Sequence, residues 1–354
     1  MRRLSLVLGA FLIASLPALG ADMELWIVSG QSNATGQGKL PGPDPDPAVE
    51  MYDEASGAWV PAKDPLPLDR LELKGGRKQS CGVGPWQTAA VAVAKGTGKK
   101  IRIVGSANNG RAISFWDEGA DGWKCLSEII DKAGKNADVF LWYQGESDGL
   151  KSVTQDTYLE KLTALVKRIR ARAGNPKMTA VIVQIGALAP KKPMSPIREA
   201  QRLYAEKDDN AILVTALGRP LRDPYHLKKD SYIELGQEIG RALLKTRAEK
   251  TDVDWPGPIM KSAVLRKDGV TVTATFTEVK ELSGCSAQDF CVLASGKPVP
   301  SAKAEAKGAT VTLTFASPVT LPARLAYGYG NAPRARLADE AGNRAPAVQM
   351  EITR

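Results

Sequence analysis

At 354 residues the chain is too long for one small domain, and its formal net charge of +9 raises nucleic acid as a partner. Lysine and arginine are dispersed, however, and no DNA- or RNA-binding motif appears, so nucleic acid is set aside. One histidine and four scattered cysteines give no zinc-ligand spacing, and nothing in the sequence asks for a metal or another cofactor.

The chain opens with Met1-Arg2-Arg3 and an apolar run over 4–19 that ends in Ala18-Leu19-Gly20-Ala21. A charged start, a short apolar core and small residues at its end describe a secretory signal peptide over 1–21, cleaved after Gly20 or Ala21. A membrane span needs a longer core, and no cysteine follows that would suit a lipoprotein. No other stretch is apolar enough to cross a bilayer. The mature chain is therefore expected to be secreted or periplasmic, without stable membrane insertion, and it stays basic after Arg2 and Arg3 leave.

Next, Trp26-Ile27-Val28 runs straight into Ser29-Gly30-Gln31-Ser32-Asn33. A serine at the carboxyl end of a first parallel strand stands where open α/β sheets hold their ligands, which makes Ser32 the candidate nucleophile. An ordinary polar loop is the plainer alternative, since Ser, Asn and Gly favour turns and helix starts. Residues 41–47 and 61–82 are proline-rich or basic and polar, and are expected as long loops at the rim of the site. Residues 103–116 repeat the pattern of strand, glycine turn and aromatic residue, and Gly110 can bring its N–H close to a substrate. Residues 139–148 repeat it again, with Val139-Phe140-Leu141-Trp142-Tyr143 ending in Gln144-Gly145-Glu146-Ser147-Asp148. Gln144 offers an amide N–H to a developing oxyanion, while Glu146 and Asp148 either serve the site or face water.

Helical patterns over 155–172, 196–206 and 231–245 alternate with apolar strands over 179–185 and 211–215, which predicts a parallel sheet with helices on both faces. Ahead of the last helix stands Asp223-Pro224-Tyr225-His226. His226 is the only histidine, so any serine–histidine hydrolysis must route its proton through it. The texture changes over 252–258, beyond which short alternating runs at 269–276 and 309–315 predict a β-sandwich. The expected domains are 22–250 and 251–354.

In order and spacing, four blocks resemble the SGNH hydrolases, and more closely their sialate O-acetylesterase and acetylxylan esterase branch. They are Gly30-Gln31-Ser32-Asn33, the stretch from Asn109-Gly110-Arg111 to Trp116, Trp142 to Asp148, and Asp-x-x-His ending at His226; they cover most of 24–247. Val83-Gly84-Pro85 is a smaller match, which in that branch precedes a helix near the active site. The tail, with Tyr327-Gly328-Tyr329 and Asp339 to Asn343, resembles the C-terminal β-domain of sialate O-acetylesterases, its tyrosines read as packing residues rather than sugar binders.

The resemblance implies an α/β fold, a flavodoxin-like doubly wound parallel sheet with a C-terminal β-sandwich domain. It implies that Ser32 attacks an acyl carbon, that His226 takes its proton and that Asp223 orients the imidazole. The backbone N–H groups of Ser32 and Gly110 and the amide of Gln144 would form the oxyanion hole. Asn33 and Glu146 are supporting residues, Glu146 being either a second carboxylate near His226 or, as preferred, a tie between the active-site loops. The second block departs from the branch, which commonly has paired glycines followed by Thr or Ser where this chain has Asn109-Gly110-Arg111.

Arg111 brings a fixed positive charge close to the site and, with the basic surface, motivates a substrate bearing a carboxylate, such as an acetylated sialic or uronic acid. The expected protein is an exported carbohydrate O-acetylesterase working through a Ser32 acyl-enzyme, with acetylated sialic acid or plant or cell-wall glycan as its partner. The competing readings are a short-chain or lipid esterase or thioesterase, and a non-catalytic glycan-binding protein. Export places Cys81, Cys125, Cys285 and Cys291 in an oxidising compartment, and Cys285–Cys291 and Cys81–Cys125 are the expected disulfides.

Overall fold

The computed structural model describes residues 23–70, 81–186, 194–294 and 297–354. The signal peptide expected over 1–21 lies outside the described residues, as does the 71–80 part of the second rim loop.

Strands with apolar side chains on both faces must be covered on both faces, and such runs build the centre of the first sheet. β1 (Met23–Gly30), β5 (Val139–Tyr143) and β6 (Thr179–Gln184) are buried over nearly their whole length. They combine with β2 (Val49–Asp53), β3 (Ala58–Pro61), β4 (Lys100–Ala107) and β7 (Ala211–Thr215) in the order β3-β2-β4-β1-β5-β6-β7. Every neighbouring pair is parallel except the edge strand β3, which runs antiparallel to β2. The first strand of the chain thus lies centrally between β4 and β5, and the order reverses there. Open sheets collect their ligands outside the carboxyl ends of the strands at such a reversal.

Helices α2 (Trp86–Thr97) and α7 (Lys229–Arg247) pack tightly on each other, while α5 (Gln155–Ala173) packs on α3 (Asp121–Ala133) and α6 (Ser195–Lys207). Two glycines of α7 permit the close approach to α2: a Cβ on Gly236 would lie 2.4 Å from the Pro85 carbonyl oxygen, and one on Gly240 2.6 Å from Ala92 Cβ. The helices and strands expected over 155–172, 196–206, 231–245, 179–185 and 211–215 are present as α5, α6, α7, β6 and β7, with ends moved by two residues or fewer.

Past residues 252–258 the chain forms β8 (Ile259–Leu265), β9 (Thr271–Thr277), β10 (Phe290–Ala294), β11 (Lys297–Pro300), β12 (Lys303–Lys307), β13 (Thr310–Thr314), β14 (Ala323–Tyr327) and β15 (Val348–Thr353). Hydrogen bonds join them in the order β11-β10-β14-β15-β8-β9-β13-β12, and only the short contact of Ile352 with Ala263 and Thr353 with Val264 is parallel. Side chains of both halves, Phe290, Leu325 and Tyr327 from one and Val272, Phe276 and Leu313 from the other, meet in one core. On the other face of β10 and β14, Cys291, Leu293 and Ala326 form a small separate cluster with Tyr329 against it.

All four cysteines are free thiols, so the expected disulfides Cys285–Cys291 and Cys81–Cys125 are corrected here. Cys285 packs against the C-terminal core, whereas Cys291 belongs to the cluster on the far face of β10; alternation along the strand puts the sheet between them. Cys81 sits beside Asp69 and Thr35, while Cys125 lies on α3 among Arg70 and Glu128. Burial pushes Cys81 and Cys285 up to about 11 and Cys291 up to about 12, which keeps them as thiols.

The two sheets are tied by buried polar groups. Gln184, fully buried at the end of β6, donates to the Ala347 carbonyl (3.0 Å) and accepts from the Ala347 N–H (2.8 Å). Arg198 on α6 is 1% exposed and donates to five backbone carbonyls: Ile185 and Gly186 in its own domain, and Gly328, Gly330 and Asn331 in the second. A buried guanidinium with five donors needs that many acceptors, and the 328–331 turn supplies three of them.

Candidate active site

β1 ends at Gly30 with φ of +139°, and a Cβ there would lie 2.1 Å from the Tyr143 carbonyl oxygen of β5. Only glycine lets the chain leave the sheet at this angle and this closeness. The Gln31 N–H then donates to that same Tyr143 oxygen (3.0 Å), and the chain turns directly into the short helix α1 (Ser32–Thr35). Ser32 is its first residue, at the carboxyl end of the central strand.

The loop between β7 and α7 carries the partner groups. It is closed by the Arg222 N–H donating to the His226 carbonyl (2.9 Å) and by a bridge between Leu221 and Leu227. Within it, Asp223 Oδ1 accepts the N–H groups of Tyr225 and His226, both at 2.9 Å. Its Oδ2 lies 2.9 Å from His226 Nδ1, and His226 Nε2 lies 2.9 Å from Ser32 Oγ. Burial of the Asp223 carboxyl opposes ionisation, but the hydrogen bonds from Tyr225, the imidazole and the His226 N–H outweigh it and hold the group at about 2. An ionised Asp223 keeps the ring proton on Nδ1 and leaves Nε2 as an acceptor facing the serine hydroxyl.

Asn33 joins this loop to the rest of the site. Its Nδ2 donates to Glu146 Oε1 (2.5 Å) and to the Tyr225 carbonyl (3.1 Å), and its Oδ1 accepts the Tyr232 hydroxyl. Glu146 Oε1 thus accepts from Asn33, and among the described residues no hydrogen bond joins Glu146 to His226. Glu146 is 2% exposed and its Oε2 has no hydrogen-bond partner among the described residues, so burial pushes it up to about 7 despite the Asn33 bond. Neither Glu146 nor Asp148 faces water, Asp148 being 1% exposed.

The loop after β5 is held from below. Gln31 Oε1 accepts the N–H of Ser147 (3.2 Å), at the start of the short helix α4 (Glu146–Leu150). Asp148 Oδ2 accepts the Ile113 N–H (2.9 Å) and Gln144 Nε2 (2.5 Å). Gln144 Nε2 also donates to the Arg111 carbonyl (2.9 Å), and its Oε1 accepts the Tyr158 hydroxyl (3.0 Å). The Gln144 amide, expected as an oxyanion donor, is instead fully buried, its Nε2 engaged by Gln31, Asp148 and the Arg111 carbonyl of the turn that carries Gly110.

That turn is itself fixed to α1 by Thr35 Oγ1 donating to Asn109 Oδ1 (2.8 Å), while the Asn108 N–H donates to the Gly30 carbonyl (2.9 Å). Gly110 has φ of +68° and is exposed, with open space where a side chain would stand. Among the described residues neither the Ser32 nor the Gly110 N–H meets an acceptor. Arg111 is exposed and stacks over the Phe115 ring at 4.7 Å. The expected 83–85 match also lies here: α2 follows it at once, and Trp86 Nε1 donates to the Ala34 carbonyl (2.7 Å).

The serine, imidazole and carboxylate of this site form one hydrogen-bonded chain, an arrangement able to deprotonate a serine at neutral pH. Comparison with known proteins bears on what it acts upon. Residues 22–245 match the family described as carbohydrate esterase, sialic acid-specific acetylesterase.

The chain belongs to this family. It is 29% identical over 243 residues to a probable carbohydrate esterase of Arabidopsis thaliana, covering 62% of this chain and 90% of that relative. A solved Arabidopsis thaliana structure is 27% identical with a TM-score of 0.57, covering 64% of this chain and 99% of the other. A carbohydrate acetylesterase structure from Xanthomonas citri, 18% identical with a TM-score of 0.63, shares the fold over 92% of this chain and 80% of its own. The site blocks found by sequence, around Ser32, Gly110, Gln144 and His226, all fall within the family match. Sequence reading missed Gln31, Tyr158 and Tyr232: Gln31 stood inside a recognised block, but the two tyrosines lie on α5 and α7 with nothing local to mark them.

Proposed function

We propose that the protein is an exported carbohydrate O-acetylesterase of the SGNH type, with a flavodoxin-like α/β domain and a C-terminal sheet folded as a sandwich. The Ser32–His226–Asp223 chain, with both links at 2.9 Å, carries this reading. Ser32 Oγ attacks the acetyl carbonyl carbon as its proton passes to His226 Nε2, and Asp223 stabilises the resulting imidazolium. The carbonyl oxygen gains negative charge, which the unengaged N–H groups of Ser32 and Gly110 receive; one such donor is worth roughly 3 kcal/mol of barrier. Gln144 acts beneath them by holding the Arg111 carbonyl, and with it the turn that aims Gly110. Collapse of the tetrahedral species expels the sugar hydroxyl, protonated by His226, and leaves acetyl-Ser32. Water activated by His226 then releases acetate.

The substrate is an O-acetylated sugar, either a sialic acid or a plant or cell-wall glycan. The exposed, unburied guanidinium of Arg111 at the rim supports a sugar that carries a carboxylate. The test is acetate release from acetylated sialic acid, acetylated xylan and an aryl acetate, by the mature protein and its Ser32→Ala variant. Release that disappears in the variant supports the proposal and ranks the substrates; no release by the folded parent moves the weight to a glycan-binding protein.

A further inference from the structure

A cavity of about 390 Å³ lies between the C-terminal sheet and the α/β domain, within the range of small-ligand sites, roughly 300–1,000 Å³. One wall is the face of the sheet turned away from its core. Leu293 and Arg324 are cross-strand partners on β10 and β14, and Gln349 on β15 pairs with Ala326 two residues further along. Tyr329 stands at the end of β14, partly exposed, against Leu293 and Ala326. The opposite wall is the 152–155 segment with Ser195 and Pro196. That segment follows directly on α4, whose first residue is Glu146 of the serine site.

The chemistry of this lining is specific. Among the described residues Arg324 is the only charged one in the lining; it is exposed and enters no ion pair with any of them, its cross-strand neighbour Glu351 included. Gln155 and Gln349 likewise have no side-chain hydrogen-bond partner among the described residues. A tyrosine ring offers a flat apolar face to the C–H side of a pyranose, free amides match ring hydroxyls, and an unpaired guanidinium takes a carboxylate in bidentate fashion. A neutral sugar would leave the exposed Arg324 guanidinium to water.

We propose that this cavity is an accessory subsite for an acidic sugar unit of the saccharide chain whose acetyl ester is cleaved at Ser32. The ligand class rests on the carbohydrate-esterase reading above. It gives the partly exposed Tyr329 a binding role beside the packing against Leu293 and Ala326 that it shares in kind with the buried Tyr327.

The test is calorimetric titration of the full Ser32→Ala chain, in which no turnover intervenes, with two matched pairs of probes. These are sialyllactose against lactose, and a glucuronic acid-substituted xylo-oligosaccharide against the unsubstituted one. The acidic member of at least one pair binds more tightly, and Arg324→Gln weakens it roughly tenfold to the level of its neutral partner. Tyr329→Ala weakens both members, and neither change alters 4-nitrophenyl acetate hydrolysis when placed in the Ser32 parent. Equal binding of acidic and neutral probes, or an acidic preference that survives Arg324→Gln but falls with Arg111→Ala, overturns the proposal. Should the parent fail to hydrolyse the aryl acetate while Arg324-dependent binding persists, the esterase reading falls and the subsite stands.

Discussion

Asn33 Nδ2 donates to Glu146 Oε1 over 2.5 Å, joining the residue after the serine to a carboxyl group buried at the start of α4. Through its other contacts Asn33 also holds the Tyr225 carbonyl and receives the Tyr232 hydroxyl, so the serine loop, the β5 loop, the histidine loop and α7 meet on one amide. The spacing between Ser32 Oγ and His226 Nε2 depends on these loops keeping register. Catalytic groups held on separate loops are only as well placed as the contacts between the loops.

Asn33→Ala removes that junction. It takes a hydrogen-bond partner from the buried Glu146 carboxyl and Tyr232 hydroxyl, which lowers stability by about 1–3 kcal/mol. It also frees the Tyr225 carbonyl, so kcat falls while KM for an aryl acetate changes little. Urea unfolding and steady-state kinetics check both; an unchanged kcat would mean that the histidine loop is held without Asn33.

Asp223→Asn keeps the shape of the loop but offers an amide to Nδ1 in place of a carboxylate. The imidazole then loses both its preferred tautomer and the partner of its cationic form, and kcat drops roughly ten-thousand-fold with the far-ultraviolet spectrum preserved. Because Asp223 is held at about 2, the parent keeps this carboxylate ionised well below neutral pH. The stability that Asp223 contributes is complete above its ordinary value near 3.8 and fades as pH falls through about 2, a slope that acid titration of parent and variant would reveal.

Glu146 has the opposite sign. Its folded value, pushed up to about 7 from 4.5 by burial, means that the folded chain holds a proton which the unfolded chain releases between those limits. Stability therefore falls as pH rises from about 4.5 to about 7. Glu146→Gln keeps an acceptor for Asn33 and cannot ionise, so the variant gains on the parent across that window. Asp64, also raised to about 7 by burial, contributes equally to both proteins and cancels in the difference. A difference in urea midpoint that does not change with pH would contradict the buried, protonated Glu146.

Arg198→Ala strips five carbonyls of their donor and loosens the turn at 328–331 from the α/β domain. A loss of at least about 3 kcal/mol is expected, since the Ile185, Gly186 and Gly328 carbonyls stay buried. Limited proteolysis should cut near 328–331 in the variant first; a protease pattern identical to that of the parent would show that the latch lies elsewhere.

Much of this was legible in the sequence because it is local. Apolar runs long enough for a strand mark β1, β4, β5, β6 and β7, and the polar residues that follow β1, β4 and β5 put Ser32, Gly110 and Gln144 at the carboxyl edge. The Asp223-to-His226 spacing fits one tight turn, and the turn is there. What was hidden depends on three dimensions. Tyr232 on α7 meets Asn33 across 199 residues of chain, and Asp148 reads as a solvated acid until the 111–113 turn folds onto it. The cysteine pairing failed for the same reason, since nearness in sequence does not reveal that Cys285 and Cys291 face opposite sides of a sheet.

The most direct measurement is rapid quenching of the mature protein during turnover of an acetylated sugar, followed by mass spectrometry of the peptide that contains Ser32. One added acetyl group on Ser32 is expected, formed at the rate of turnover or faster and absent in Ser32→Ala. Steady acetate release with Ser32 never acetylated, or turnover that survives Ser32→Ala, would contradict it.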